Sequence, residues 1–476
     1  MKRILVIPII LLLTLISCEN LEEISENPNN VSETHPQLLL TRIEWETFQV
    51  EGTSPLFASR MIVQTDGEQS EQFYTWDRAS FGEYNQLRDI TKMMEEAERI
   101  EDPSYQALAK FFRSLYFYNL TLRFGDIPYS EALKGEADEV FTPKYDTQKE
   151  VFTGILKELE EANNIITDDI IEGDIIFGGN ALKWKKMINS FRLKILISLS
   201  NKAGDSDLNP ASTFASIVAN QPIMEALDDN GQLVFFDQLG SRYTEFNNSG
   251  YGSARYMDST FIRKLIERED PRLFIYSDQT KNAKEAGLAV DDFNAYEGGN
   301  PIAPYNDVNI KAAQGNVSKV DLRYTTDPTN EPHVVLGYPE VQFILAEASV
   351  RGWISSDAKT HYENGIKASF QFYNTYAENY ASYVDENAAN TYLQQDLVNF
   401  DNAATDEEKI NQIVTQKYLQ SFLQGGWTPY FEHLRTGYPE FITLPGVTPP
   451  TRWMYPNDEY QLNSENVAQA IQRQFG

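Results

Sequence analysis

The chain has 476 residues, 70 of them acidic against 40 basic, for a formal net charge of −30. That field excludes nucleic acid, which needs a basic neutralising surface, and favours neutral or cationic ligands unless it only serves solubility. A single cysteine excludes a disulfide framework, while 41% hydrophobic and 12% aromatic residues supply a large core.

The first predicted element is an export signal over residues 1–17. Lys2 and Arg3 start it, Ile4 to Ile16 is apolar, and Ser17 precedes the one cysteine, Cys18. This is the layout cleaved just before a lipidated cysteine, so Cys18 is expected to carry a diacylglycerol and a palmitate-type acyl chain. An ordinary secretory signal with an incidental cysteine is the competing reading. The apolar run is too short to stay across a bilayer. Residues 18–36, with Glu19, Glu22, Glu23 and Asn27-Pro28-Asn29-Asn30, read as an acidic tether. The remaining 37–476 read as a single domain.

Apolar residues then recur at helical spacing. One stripe runs Leu108, Phe111, Phe112, Leu115, Phe117, Leu122, and a second runs Val151, Phe152, Ile155, Leu156, Leu159, Ala162, Ile166. A third follows over Trp184 to Leu199, a fourth opens at Pro339 through Val341, Ile344, Leu345 and Ala348, and a fifth covers Ile410 to Phe422. Asp357 is expected to open a helix carrying Ala358, Tyr362 and Gly365. With Ala346, these small and aromatic offsets suggest a degenerate tetratricopeptide-like helix pair. The fold class is therefore mainly α. Residues 201–339 differ, being rich in Gly, Asn, Asp and Tyr, and read as a loop-rich insertion with short strands.

Several motifs stand in one order along the chain. They are Arg123-Phe124-Gly125-Asp126-Ile127-Pro128-Tyr129, Pro143 to Gln148, Gly173-Asp174 with Leu182 to Leu193, Asp270-Pro271-Arg272-Leu273, Glu340 to Gly352, and Arg435-Thr436-Gly437-Tyr438-Pro439 followed by Pro449 to Pro456. Together they resemble the SusD/RagB family of surface lipoproteins, in its SusD-like branch. The resemblance implies a lipid-anchored protein of the outer membrane, facing the cell exterior. It also implies a lid on a TonB-dependent transporter of the SusC type, capturing oligosaccharide or, as the alternative, oligopeptide. Within the motifs, Arg435, Arg452, Asp126 and Trp184 are expected to hold the fold, and Gly125 and Gly437 to end helices.

Sugar rings present C–H faces that pack on flat aromatic side chains, so loop aromatics are the candidate ligand residues. Tyr74, Trp76, Arg78 and Tyr84 form one set in a polar stretch, with Trp76 foremost. Tyr251, Asn294, Tyr296 and Tyr305 form a second, dispersed set in the Gly-rich region. Core packing competes for each of these, because 27 Phe, 26 Tyr and 6 Trp must be placed somewhere. His35, His333, His361 and His433 lack metal-ligand spacing, and no phosphate-cradling loop or nucleophile motif occurs. The expectation is a binding protein without cofactor or metal, against the competing reading of a surface glycoside hydrolase.

Overall fold

The computed structural model describes residues 33–76 and 78–475, so Cys18, the expected signal and most of the tether lie outside the described residues. The first helix, α1 (Pro36–Thr47), begins with proline at its first turn and with the His35 ring accepting the Gln37 amide at 3.3 Å.

The helical stripes become helices bounded by their own caps. After α2 (Glu83–Arg99), α3 (Pro103–Phe124) starts at Asp102, whose carboxylate accepts the Ser104 amide at 2.9 Å. It stops at Gly125, where φ is +76°, a conformation open to glycine without strain. Next come α4 (Gln148–Ile165), opened by a Thr147/Glu150 capping box, and α5 (Ala181–Ser198), capped by Asn180. Helix α3 packs between α2 and α4, with Phe111, Phe112 and Phe117 fully buried.

The later helices are α6 (Tyr338–Val350), α7 (Ala358–Tyr376), α8 (Asp406–Leu419), α9 (Thr428–Thr436) and α10 (Ser464–Phe475). Asp357 caps α7, as its sequence position suggests, and α7 packs against α6. The small residue in that pair is required. A Cβ on Gly365 would lie 2.7 Å from the Phe343 ring. The stripe that runs to Phe422 outlasts its helix, which ends at Leu419.

The loop-rich region carries short strands, as expected. Strands β1 (Ile62–Gln64) and β3 (Arg255–Met257) pair antiparallel, as do β2 (Gly231–Leu233) and β4 (His333–Leu336). It is also more helical than its composition suggests, with helices at Pro210–Asn220, Ser259–Ile266 and Tyr305–Ala313. Glycines and asparagines at their borders hide these short segments in any window average.

Charged groups tie the elements together inside. Arg272 and Asp270 are both fully buried, joined by a 2.6 Å ion pair. The Arg435 guanidinium donates to Glu347, Glu432 and Ser200, which links α9 to α6 and to the end of α5. Arg473 of α10 donates to Asp126 at 3.0 Å, and Arg452 to the Phe124 carbonyl at 3.2 Å. Trp184 is fully buried, with Phe111, Phe112 and Phe177 set edge-on around it. Arg435, Arg452, Asp126 and Trp184 are thus all engaged in bonds or packing between elements. Early and late segments also interlock: Arg60 donates to the Ile442 carbonyl at 2.9 Å, and Tyr418 to that of Ser59 at 2.9 Å.

Candidate functional site

A one-turn helix, Ser70–Phe73, ends at Tyr74, which takes the left-handed conformation with φ +56°. This reversal separates two neighbouring rings. Tyr74 turns inward, with its hydroxyl on the Ala58 carbonyl at 2.8 Å and the Arg60 guanidinium 4.0 Å from its ring centre. Trp76 emerges half-buried, and two distant tryptophans meet it there. Trp453 stacks on it with centroids 5.1 Å apart at 18°, and Trp427 stands edge-on to it at 6.0 Å. Trp427 and Trp453 are themselves perpendicular, 4.8 Å apart.

These three indoles wall a recess of about 340 Å³, with Glu71, Arg78 and Arg123 among its polar lining. The Trp76 indole N–H is buried and has no acceptor among the described residues. Arg78 is fixed by its own bonds, donating to the Tyr455 carbonyl at 2.7 Å and lying 4.8 Å from the Tyr460 ring. A flat apolar wall with charged and hydroxyl groups at its edge suits a ring that has both C–H faces and polar substituents.

Arg123 and Trp427 also line a larger cleft of about 1100 Å³. The Arg123 guanidinium, shared by the two linings, pairs with Glu83 and, at 3.5 Å, with Glu51.

The structure brings together Trp76 and Arg78 of the residues singled out in the sequence. It takes Tyr74, Tyr84, Tyr251 and Tyr296 away from an exposed cradle, because their rings are taken up by packing. Tyr84 lies between Phe81 and Phe117 with its hydroxyl on the Pro128 carbonyl at 2.5 Å. Tyr251 is 8% exposed, beside Arg255. Tyr296 packs on Phe274, its hydroxyl on the Val290 carbonyl at 2.7 Å. Burial pushes the hydroxyl pKa of all four upward. Asn294 and Tyr305 are exposed, but they line neither the recess nor the cleft. The Asn294 amide is tied to Asp292 at 2.9 Å.

Trp427, Trp453 and Arg123 escaped the sequence reading as site residues. Gly425-Gly426 before Trp427 is the one local signal, a turn that presents the next side chain. The histidines serve structure. His333 is buried against the Phe48 carbonyl at 3.0 Å and desolvation pushes it down to about 4, while His361 bonds Gln342 and His433 faces the Pro439 carbonyl. Among the described residues, no group of three or more His, Cys, Asp or Glu is placed to hold a metal ion, and no helix is long and apolar enough to cross a membrane.

Comparison with known proteins gives a consistent picture. A SusD-like family profile, described as starch-binding and associating with the outer membrane, matches residues 28–456. A SusD homolog from Bacteroides fragilis is 52% identical over 93% of this chain and 96% of its own, with a TM-score of 0.88. An outer membrane protein of Bacteroides vulgatus, whose description points to nutrient binding, is 51% identical over 93% of this chain and 97% of its own, at 0.90. A chitin-binding SusD homolog from Flavobacterium johnsoniae shares the fold at 20% identity, over 93% of this chain and 96% of its own, with a TM-score of 0.72. No curated protein matches the chain.

Proposed function

The chain belongs to the SusD-like family of nutrient-binding, outer-membrane-associated proteins, and from that premise we propose that it captures oligosaccharide in the Trp76–Trp427–Trp453 recess without transforming it. Acylated Cys18 anchors it at the cell surface. A TonB-dependent barrel of the SusC type receives the cargo, with this chain as its lid.

The observation that carries the reading is the convergence of three tryptophans, from positions 76, 427 and 453, on one recess edged by Arg78 and Glu71. Core packing alone does not require an open face there, and stacking on indole is a mode of sugar recognition that tolerates many hydroxyl patterns. The family's members bind rather than catalyse, which agrees with the histidines being taken up by structure.

Trp76→Ala is expected to weaken binding of maltohexaose or N-acetylchitohexaose about ten-fold, the scale of one lost aromatic platform. Because Trp76 stacks on Trp453, the same change should also lower the melting temperature slightly, so Trp76→Phe is the paired variant, with an intermediate affinity and a smaller thermal effect. Calorimetric titration with product analysis checks both. Unchanged affinity removes the recess from the proposal, tight binding of oligopeptides in place of glycans changes the cargo, and appearance of cleaved glycan defeats the binding-only reading. The partner is tested separately: detergent-solubilised membranes should yield the protein together with a barrel transporter, and a chain that always purifies alone counts against the lid.

A further inference from the structure

The cleft of about 1100 Å³ that shares Arg123 and Trp427 with the recess has a lining that discriminates by charge. Its charged walls largely neutralise one another. Arg123 pairs with Glu83 and Glu51, Lys194 with Glu340 at 3.1 Å, Arg435 with Glu347 and Glu432, and Glu46 with Arg42 at 2.9 Å. Lys202 stands exposed at the edge, and His333 is held neutral by burial. Apart from Lys202 at that edge, a charged ligand would find no counter-charge that is not already engaged, and it would lose hydration on the way.

The polar groups left over are neutral. Most of the wall amides are committed: Gln148 donates to the Thr121 carbonyl at 2.8 Å, Asn201 to that of Arg435 at 2.9 Å, and Gln424 to Glu331 at 2.6 Å. Gln86 on α2 and Asn119 on α3 differ. Both are partly buried, both line the cleft, and neither side chain hydrogen-bonds to another described residue. An amide offers two donors and an acceptor, the complement of a vicinal pair of hydroxyls. Trp427 and Phe431 also line the cleft and supply flat faces, on the loop before α9 and on α9 itself.

We infer that this cleft is a second binding site, for an uncharged, hydroxyl-rich ligand of oligosaccharide size, with Gln86 and Asn119 as its hydrogen-bonding groups and Trp427 and Phe431 as its stacking faces. The inference rests on the glycan reading of the recess, and it adds a site that the recess does not need. Trp427 stands in the wall of both spaces, so one extended glycan can occupy them together, or two shorter ones separately.

The test is calorimetric titration of the full protein with two neutral hexamers, maltohexaose and N-acetylchitohexaose, and two charged ones, chitosan hexamer and oligogalacturonate. The variants are Gln86→Leu, Asn119→Leu, their combination, and Trp76→Ala, with circular dichroism melting to confirm folding. The expected result is that the double variant loses one of two equivalents of a neutral hexamer, or about ten-fold or more in affinity, with each single variant intermediate. Trp76→Ala should keep the equivalent that the double variant loses. A double variant that titrates like the unaltered protein, beside a Trp76→Ala that binds nothing, overturns the inference and leaves the recess standing. Binding of a charged hexamer that the double variant abolishes overturns the assignment to uncharged ligands. Failure of the unaltered protein to bind any neutral hexamer overturns both this inference and the glycan reading.

Discussion

Replacing Arg272 with methionine is expected to destabilise the protein by about 3–5 kcal/mol, the scale seen when one partner of a buried ion pair is removed. The Arg272 guanidinium is fully buried and donates to both Asp270 oxygens, to Ser369 on α7 at 3.0 Å and to Gln416 on α8 at 2.8 Å. It therefore clasps the loop after the Ser259–Ile266 helix to two helices of the scaffold. Methionine fills much of the volume but leaves the Asp270 carboxylate without its counter-charge, and it leaves Ser369 and Gln416 without their donor. The double variant Asp270→Asn/Arg272→Met removes both charges and should lose less than Arg272→Met alone, because the penalty lies in the stranded ion rather than in the missing contact. Unfolding entropy of about 2.1 cal/mol/K per residue puts the single variant about 3–5 °C lower in Tm for a chain of this length. Melting curves for the two variants decide the matter: a double variant worse than the single one would show that the pair stabilises by attraction.

A methyl group at position 298 is expected to be as damaging. A Cβ on Gly298 would lie 2.3 Å from the Ser259 nitrogen and 2.4 Å from the Asp258 carbonyl carbon, both main-chain atoms that no rotamer change can move. Relief needs a backbone shift where Ser259 donates to the Gly299 carbonyl at 2.8 Å and Gly299 to that of Met257 at 2.8 Å. Overpacking of about 1–3 kcal/mol, with about 1 kcal/mol for each bond disturbed, gives a loss of about 3–5 kcal/mol for Gly298→Ala. Gly204→Ala is the matched control: a Cβ there meets nothing within 4 Å, and its effect should stay within about 0.5 kcal/mol. Chemical denaturation of both variants checks the contrast, and equal midpoints would mean that the 258–299 junction yields easily.

Legibility in the sequence followed the range of the interaction. Helices α3, α4, α5, α6 and α7 announce themselves because their stripes, and signals such as Gly125 after α3 or Asp357 before α7, lie within some twenty residues. Trp76 could be picked out because its polar surroundings are local too. Trp427 and Trp453 could not, since their meeting with Trp76 depends on how segments more than 350 positions away come back to it. The tyrosines misled for a different reason. A ring in a polar or glycine-rich loop looks exposed, but one backbone carbonyl, Ala58 for Tyr74 or Val290 for Tyr296, satisfies its only strong polar group and lets it go inside. The short helices of residues 201–339 were lost among turn formers for want of length.

The bonds that close the molecule on itself bear on how a nascent chain reaches this structure. Arg60 waits 382 positions for the Ile442 carbonyl, Ser59 waits 359 for the Tyr418 hydroxyl, and Asp126 waits 347 for Arg473. The tryptophan recess likewise has its first wall made early and its other two near the end. Such contacts repay their loop-closure entropy only when the last segment arrives, so this topology assembles slowly, and late in synthesis. Until the Trp427 and Trp453 segments have emerged, the Trp76 ring lacks the two indoles it packs against. The tryptophan recess is thus among the last parts of the protein to come into being.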